Sequence, residues 1–207
     1  MNRAKLKEKA KTIAYKNKLV LWKPYLIVFF ISFIAGFIEG IFDIKLYSWL
    51  DIILSLVVTI VTIPITVIVV ANSMQVISDK TPDLEKLIKK YYKMIMLIFL
   101  VSLIGGVLCG LATLLLIVPG IILSLSYSQS AYILADKADE SMSPIDILKK
   151  SREMMYGHKM ELFTLQLSFI GWLLLGTLTL GILYIWIVPY MQVTYTLYYE
   201  ELKKISK

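Results

Sequence analysis

Two long stretches of the chain carry no charged residue: Met94 to Ala135, 42 residues, and Leu162 to Tyr199, 38 residues. A helix crossing the roughly 30 Å hydrocarbon core of a bilayer needs about 20 apolar residues, so each stretch holds two crossings and no more. Hydrocarbon offers the backbone no hydrogen-bond partner, and runs this apolar must satisfy their own N–H and C=O groups as helices. Pro119-Gly120 is the sharp turn signal in the first stretch. It separates a span near Met94–Leu114 from one near Val118–Ala135. Leu180-Gly181 marks the turn in the second stretch. Two further runs precede these. Pro24–Phe42 starts on a proline suited to a first helical turn, and Ile52–Ala71 is free of charge. The expectation is an all-α polytopic membrane protein with six transmembrane helices in three hairpins.

Composition excludes the alternatives. Hydrophobic residues make up 58% of the 207 and charged residues 18%, with a mean hydropathy of +0.73. Disordered chains are polar and highly charged, and a soluble enzyme needs polar residues to cover its surface. Cys109 is the one cysteine, which rules out an intramolecular disulfide and a cysteine metal site. The first apolar run begins near Leu19 with no small-residue cleavage site after it, so it is expected to be retained as a span.

The net charge is +7, and its distribution says more than its size. Of 22 Lys and Arg residues, 21 fall in the N-terminal segment, the loops after spans two and four, and the tail. Lys45 alone falls on the other side. Basic loops stay cytoplasmic, so both termini are expected inside a plasma membrane, with anionic lipids of the inner leaflet rather than nucleic acid as the partner. Trp22, Tyr25, Tyr91 and Tyr92 fall at the expected inner boundary, and Tyr47, Trp49, Tyr184 and Trp186 at the outer one.

The pattern repeats three times within a single membrane domain. A basic amphipathic segment at 1–23 precedes hairpin one at 24–71. Residues 81–135 hold a second interfacial helix and hairpin, and 143–200 a third. Leu84, Leu87, Ile88 and Tyr91 form one apolar stripe, as do Ile147, Leu148, Met154 and Met155 in part. Thr81-Pro82-Asp83 and Ser143-Pro144 read as helix starts with a hydroxyl cap and proline in first position. The second span of each hairpin carries a proline, Pro64, Pro119 or Pro189. Polar residues follow it: Asn72 and Gln75, then Ser126 and Gln129, then Gln192, Thr194 and Thr196.

The C-terminal third carries a family likeness. Ser151-Arg152-Glu153-Met154-Met155-Tyr156-Gly157-His158-Lys159 is followed by Leu167-Ser168-Phe169-Ile170-Gly171-Trp172, Leu178-Thr179-Leu180-Gly181-Ile182, Trp186 and Pro189-Tyr190. With Leu6-Lys7-Glu8-Lys9-Ala10 and Val118-Pro119-Gly120-Ile121-Ile122, the chain resembles the bacterial integral membrane family catalogued as domain of unknown function 975. One departure is Leu183, where the family pattern implies a second glycine. The resemblance implies a bacterial plasma-membrane protein, no established activity and no catalytic residues.

The chemistry-bearing residues are few. No Walker glycine loop, G-x-S-x-G or H-E-x-x-H is present. His158 has no second histidine to share a metal. No cofactor and no metal are expected. Glu39, late in the first span, is a candidate acid at the outer mouth, because a carboxylate in hydrocarbon is costly. Gly36 and Gly40, and Ser102, Gly106 and Gly110, have the four-residue spacing that lets membrane helices approach closely, within the chain or in a homodimer. Asn72, Gln75, Gln129, Gln166 and Gln192 form a candidate polar cluster. Gln129, Gln166 and Gln192 are expected to converge at one depth, about 8–12 Å from the cytoplasmic boundary. The leading expectation is a non-enzymatic membrane protein acting through membrane partners or lipids, as an accessory, immunity or stress-related factor. A small transporter or exporter subunit with a cytoplasm-facing vestibule is the alternative, and a membrane enzyme on lipid substrates ranks third.

Overall fold

A computed structural model describes residues 3–41, 49–137 and 141–205; the side chain of Glu39 lies outside that description. Among the described residues the chain is all-helical, in the order α1 (Arg3–Lys16), α2 (Lys18–Ile41), α3 (Trp49–Ile77), α4 (Leu84–Lys93), α5 (Ile95–Leu115), α6 (Ile117–Tyr127), α7 (Ser130–Asp136), α8 (Pro144–Met154), α9 (Lys159–Leu167), α10 (Ile170–Leu178) and α11 (Tyr184–Ile205).

Five segments among the described residues are long and apolar enough to cross a membrane: Lys18–Ile38, Trp49–Ile77, Ile95–Leu115, Ile117–Asp136 and Lys159–Leu178. The sixth expected span, α11, is not among them. Its sequence is diluted by Tyr190, Gln192, Thr194, Tyr195, Thr196, Tyr198, Tyr199 and two glutamates. The reason is position. Val193, Thr194, Thr196, Leu197, Tyr198, Tyr199 and Leu202 are all buried in protein, and a helix enclosed by other helices need not be apolar on every side.

Three local expectations change. The turn between α5 and α6 is Leu116 alone, in extended conformation. Pro119 follows inside the first turn of α6, where a missing N–H is harmless. Pro64 and Pro189 lie inside the continuous helices α3 and α11, so they do not break their spans. At α4 the cap is Asp83 rather than Thr81. Its carboxylate accepts the Lys86 backbone N–H at 3.3 Å, a bond that, with the Lys86 ammonium, holds the Asp83 pKa below the usual carboxylate range. At α8 Ser143 holds the N-cap position before Pro144 as expected, but its hydroxyl makes no capping hydrogen bond.

The three short helices are placed by a common rule. α4 packs on α3, the helix that ends the preceding pair; α8 packs on α5, α6 and α7; α1 packs along α11. Each short helix thus packs on the second helix of a pair, α4 on α3, α8 on the α6–α7 segment and α1 on α11. Only one face of each is available for this. α1 buries Leu6, Ala10 and Ala14, and α4 buries Leu87 and Tyr91 while Lys86 and Lys89 stay in solvent. On α8 the buried set is Ile147, Leu148 and Ser151.

Two cores result. One gathers Val67, Ile68, Tyr91, Ile98, Ile133 and Ile147. The other gathers Leu6, Leu21, Met155, Phe169, Val193 and Leu202. Away from them the helix pairs stay bare. Phe29, Phe30, Phe33 and Phe37 on α2, and Ile53, Leu56 and Val57 on α3, are exposed. So are Leu111, Leu114 and Leu115 on α5 and Ile121 and Ile122 on α6. A contiguous apolar surface of this kind marks contact with lipid or protein.

Candidate functional site

The centre is built from the second helix of each pair. α3 packs on both α7 and α11. α7 and α11 meet through Tyr132 and Tyr199, whose rings stack at 5.3 Å with a 24° tilt. The Tyr132 side chain also approaches Gln192 and Thr196.

Each of these three segments contributes one amide with a buried polar atom that has no partner among the described residues: Asn72 Oδ1 from α3, Gln129 Oε1 from the start of α7, and Gln192 Nε2 from α11. For two of the three the other end of the amide is held. Asn72 Nδ2 donates to the Val20 carbonyl at 3.1 Å, and Gln129 Nε2 to Ser128 Oγ at 2.9 Å. A buried amide atom left unpaired typically costs ~1–3 kcal/mol, so three of them on three meeting segments call for an account.

The other expected site residues fall elsewhere. Gln166 does not join the centre. The buried side of α9 is Leu162 and Leu165, and Gln166 is exposed. Gln75 is half-buried near the end of α3. The Glu39 side chain lies outside the described residues. Around Gly36, Gly40, Gly106 and Gly110 no side chain or neighbouring element among the described residues comes within 4 Å of where a Cβ would stand, and Ser102 is exposed. The expected close packing within the chain is therefore absent there. Close approach occurs at two glycines with no such spacing. Thr113 fills the space of a side chain at Gly120, and the Tyr184 ring does so at Gly176. His158 pairs through Nδ1 with Glu161 Oε2 at 3.0 Å. Among the described residues no group of three His, Cys, Asp or Glu side chains could hold a metal ion.

The aromatic belt also shifts. Trp22 Nε1 donates to the Ile185 carbonyl at 2.9 Å, and Lys18 Nζ stands 4.2 Å over the Trp186 ring. The start of α11, expected at the outer boundary, thus sits beside residues expected at the inner one.

Several important residues escape a sequence reading. Asp136 ends α7, accepting Tyr199 Oη at 3.0 Å and Lys203 Nζ at 2.6 Å. Tyr91 donates to the adjacent Ala135 carbonyl at 2.8 Å. Burial, reinforced by the Asp136 charge, pushes the Tyr91 pKa up to about 12. The one available signal was that Asp136 is the first charge after 42 uncharged residues.

α6 and α7 are one apolar segment interrupted at Ser128 and Gln129, and α9 and α10 are another interrupted at Ser168 and Phe169. At the first break Ser151 Oγ donates to the Ser126 carbonyl at 2.8 Å and accepts the Gln129 N–H at 3.2 Å. At the second, Lys7 Nζ donates to the Ser168 carbonyl at 3.3 Å and lies 4.2 Å over the Phe169 ring. Burial, then the nearby Arg3, lowers the Lys7 pKa.

No curated protein and no solved structure matches the chain. The family described as Protein of unknown function (DUF975) matches residues 45–206, from before α3 through α11. That is well over half of the 207 residues, and the chain belongs to this family.

Proposed function

We propose that the protein is anchored in a bacterial plasma membrane by its apolar helices, with both termini cytoplasmic, and acts through contacts with lipids and membrane partners rather than by catalysis. The observation that carries this reading is the bare apolar wall of α2 and α3, where Phe33 is 61% exposed and Val57 51%. Water would not tolerate such a wall, whereas lipid or a partner helix covers it. The 21 basic residues expected on one side set the orientation and attract anionic lipid. Photo-crosslinking amino acids at Phe33 and Val57, in membranes, test it. Lipid adducts together with a discrete protein adduct are expected, against none at buried Leu87. No adduct of either kind contradicts the proposal.

A second reading, a small transporter or exporter subunit, draws on the three unpartnered amides. In it they line a polar vestibule open to the cytoplasm and bind water or solute. Cysteines at Ser126 and Thr194 would then react with small cytoplasmic thiol reagents, and Gln192→Leu would block that reaction without loss of thermal stability. Unreactive cysteines remove this reading.

A further inference from the structure

We propose that the groove between the α1–α2 junction and the start of α11 is a binding site for one anionic phospholipid, its acyl chain in the groove and its phosphate on Lys11 and Lys18. The inference rests on the membrane reading above and adds a specific site to it.

A cavity of about 260 Å³ lies there. That is close to the roughly 300–1,000 Å³ range of small-ligand pockets and far more than one water fills. Its two walls differ in chemistry. Lys11, near the end of α1, and Lys18, which starts α2, supply the charge. Trp172 of α10, Leu183 just before α11, and Trp186 and Pro189 of α11 supply an apolar surface. Among the described residues none of the side chains lining the cavity is acidic, so an anion meets two ammonium groups and no opposing carboxylate.

Lys18 is held in place. Its Nζ sits 4.2 Å over the Trp186 ring, a cation–π contact that fixes the ammonium while leaving its N–H groups available to an acceptor. Lys18 also begins the apolar segment Lys18–Ile38, and a lysine at that point extends its ammonium toward the headgroup layer. Trp172 and Trp186 are 49% and 46% exposed, and indoles favour that same layer. A soluble anion would use the lysines and leave the apolar wall bare. An uncharged lipid would use the wall and leave the lysines idle. An anionic phospholipid uses both.

The full-length protein in phosphatidylcholine nanodiscs tests this, with a minor fraction of guest lipid carrying brominated acyl chains, which quench tryptophan on contact. The guest is either phosphatidylglycerol or phosphatidylcholine. Brominated phosphatidylglycerol is expected to quench at least twofold more steeply. Lys11→Gln/Lys18→Gln should equalise the two slopes, while Lys86→Gln/Lys89→Gln on α4 keeps the preference. Equal slopes in the unmodified protein overturn the site alone, without need of any variant. A preference that survives the double-lysine change also overturns it. No quenching by either lipid overturns the membrane reading as well.

Discussion

The Ser151 hydroxyl of α8 accepts the backbone N–H of Gln129 at 3.2 Å, at the point where the α6–α7 segment breaks. The same oxygen donates to the Ser126 carbonyl on the other side of the gap. A helix break buried in protein exposes backbone groups that must find partners, and here a neighbouring short helix provides them. Lys7 of α1 does the equivalent at the α9–α10 break. The short helices are therefore structural parts of the bundle, whatever they also do at a lipid surface.

Ser151→Ala removes both bonds at once and leaves two buried backbone groups unpaired. Each such group costs ~1–3 kcal/mol, and thermal unfolding in detergent should show a loss of that order or more. Lys7→Met, at a partly solvated contact, should cost only about 0.5–1 kcal/mol. A Ser151→Ala midpoint equal to that of the unmodified protein contradicts the bridging role.

Glycine spacing and glycine packing separate cleanly in this fold. A methyl at Gly176 would stand 2.5 Å from the Tyr184 ring, whose hydroxyl donates to the Leu173 carbonyl. Gly176→Ala should cost about 1–3 kcal/mol by overpacking. Gly106→Ala meets open space in the interior of α5 and should be neutral or stabilising, by up to about 1 kcal/mol, through helix propensity. Unfolding midpoints of the two variants measured side by side check the contrast; similar losses would mean that Gly106 faces a packed partner in the membrane.

Much of this architecture is legible in the sequence, for physical reasons that also mark where legibility stops. Charge-free runs announce membrane helices because burying a charge in lipid is costly, and the five apolar segments follow from that alone. α11 defeats the same reasoning, because enclosure by neighbours relaxes the need for aliphatic residues, and enclosure is a tertiary fact. The amides were visible as polar residues in apolar helices. Burial of Asn72 and Gln129 and exposure of Gln166 depend on which helix face meets a neighbour. Ser151 looked like one more polar residue on a basic helix. Only the fold reveals that it faces a break more than twenty residues away.

Alkaline titration follows from Tyr91. Its pKa is raised from an ordinary value near 10 to about 12. The folded state thus holds the hydroxyl proton more tightly than the unfolded state does. The stability this confers is complete below pH 10 and is lost as pH rises from about 10 to 12. Stability measured across that window should fall, and Tyr91→Phe should flatten its share of the decline while lowering stability below pH 10 through loss of the bond to Ala135. An unchanged slope in Tyr91→Phe would contradict the assignment.

Orientation in the membrane is the central claim, and cysteine labelling in intact cells tests it most directly. In a Cys109→Ser background, Lys86→Cys and Lys149→Cys place thiols at exposed positions on α4 and α8, and Lys45→Cys places one in the loop expected outside. A membrane-impermeant thiol reagent should label Lys45→Cys at once and reach the other two only after the membrane is opened. Labelling of Lys86→Cys and Lys149→Cys in intact cells, with Lys45→Cys protected, would contradict the account.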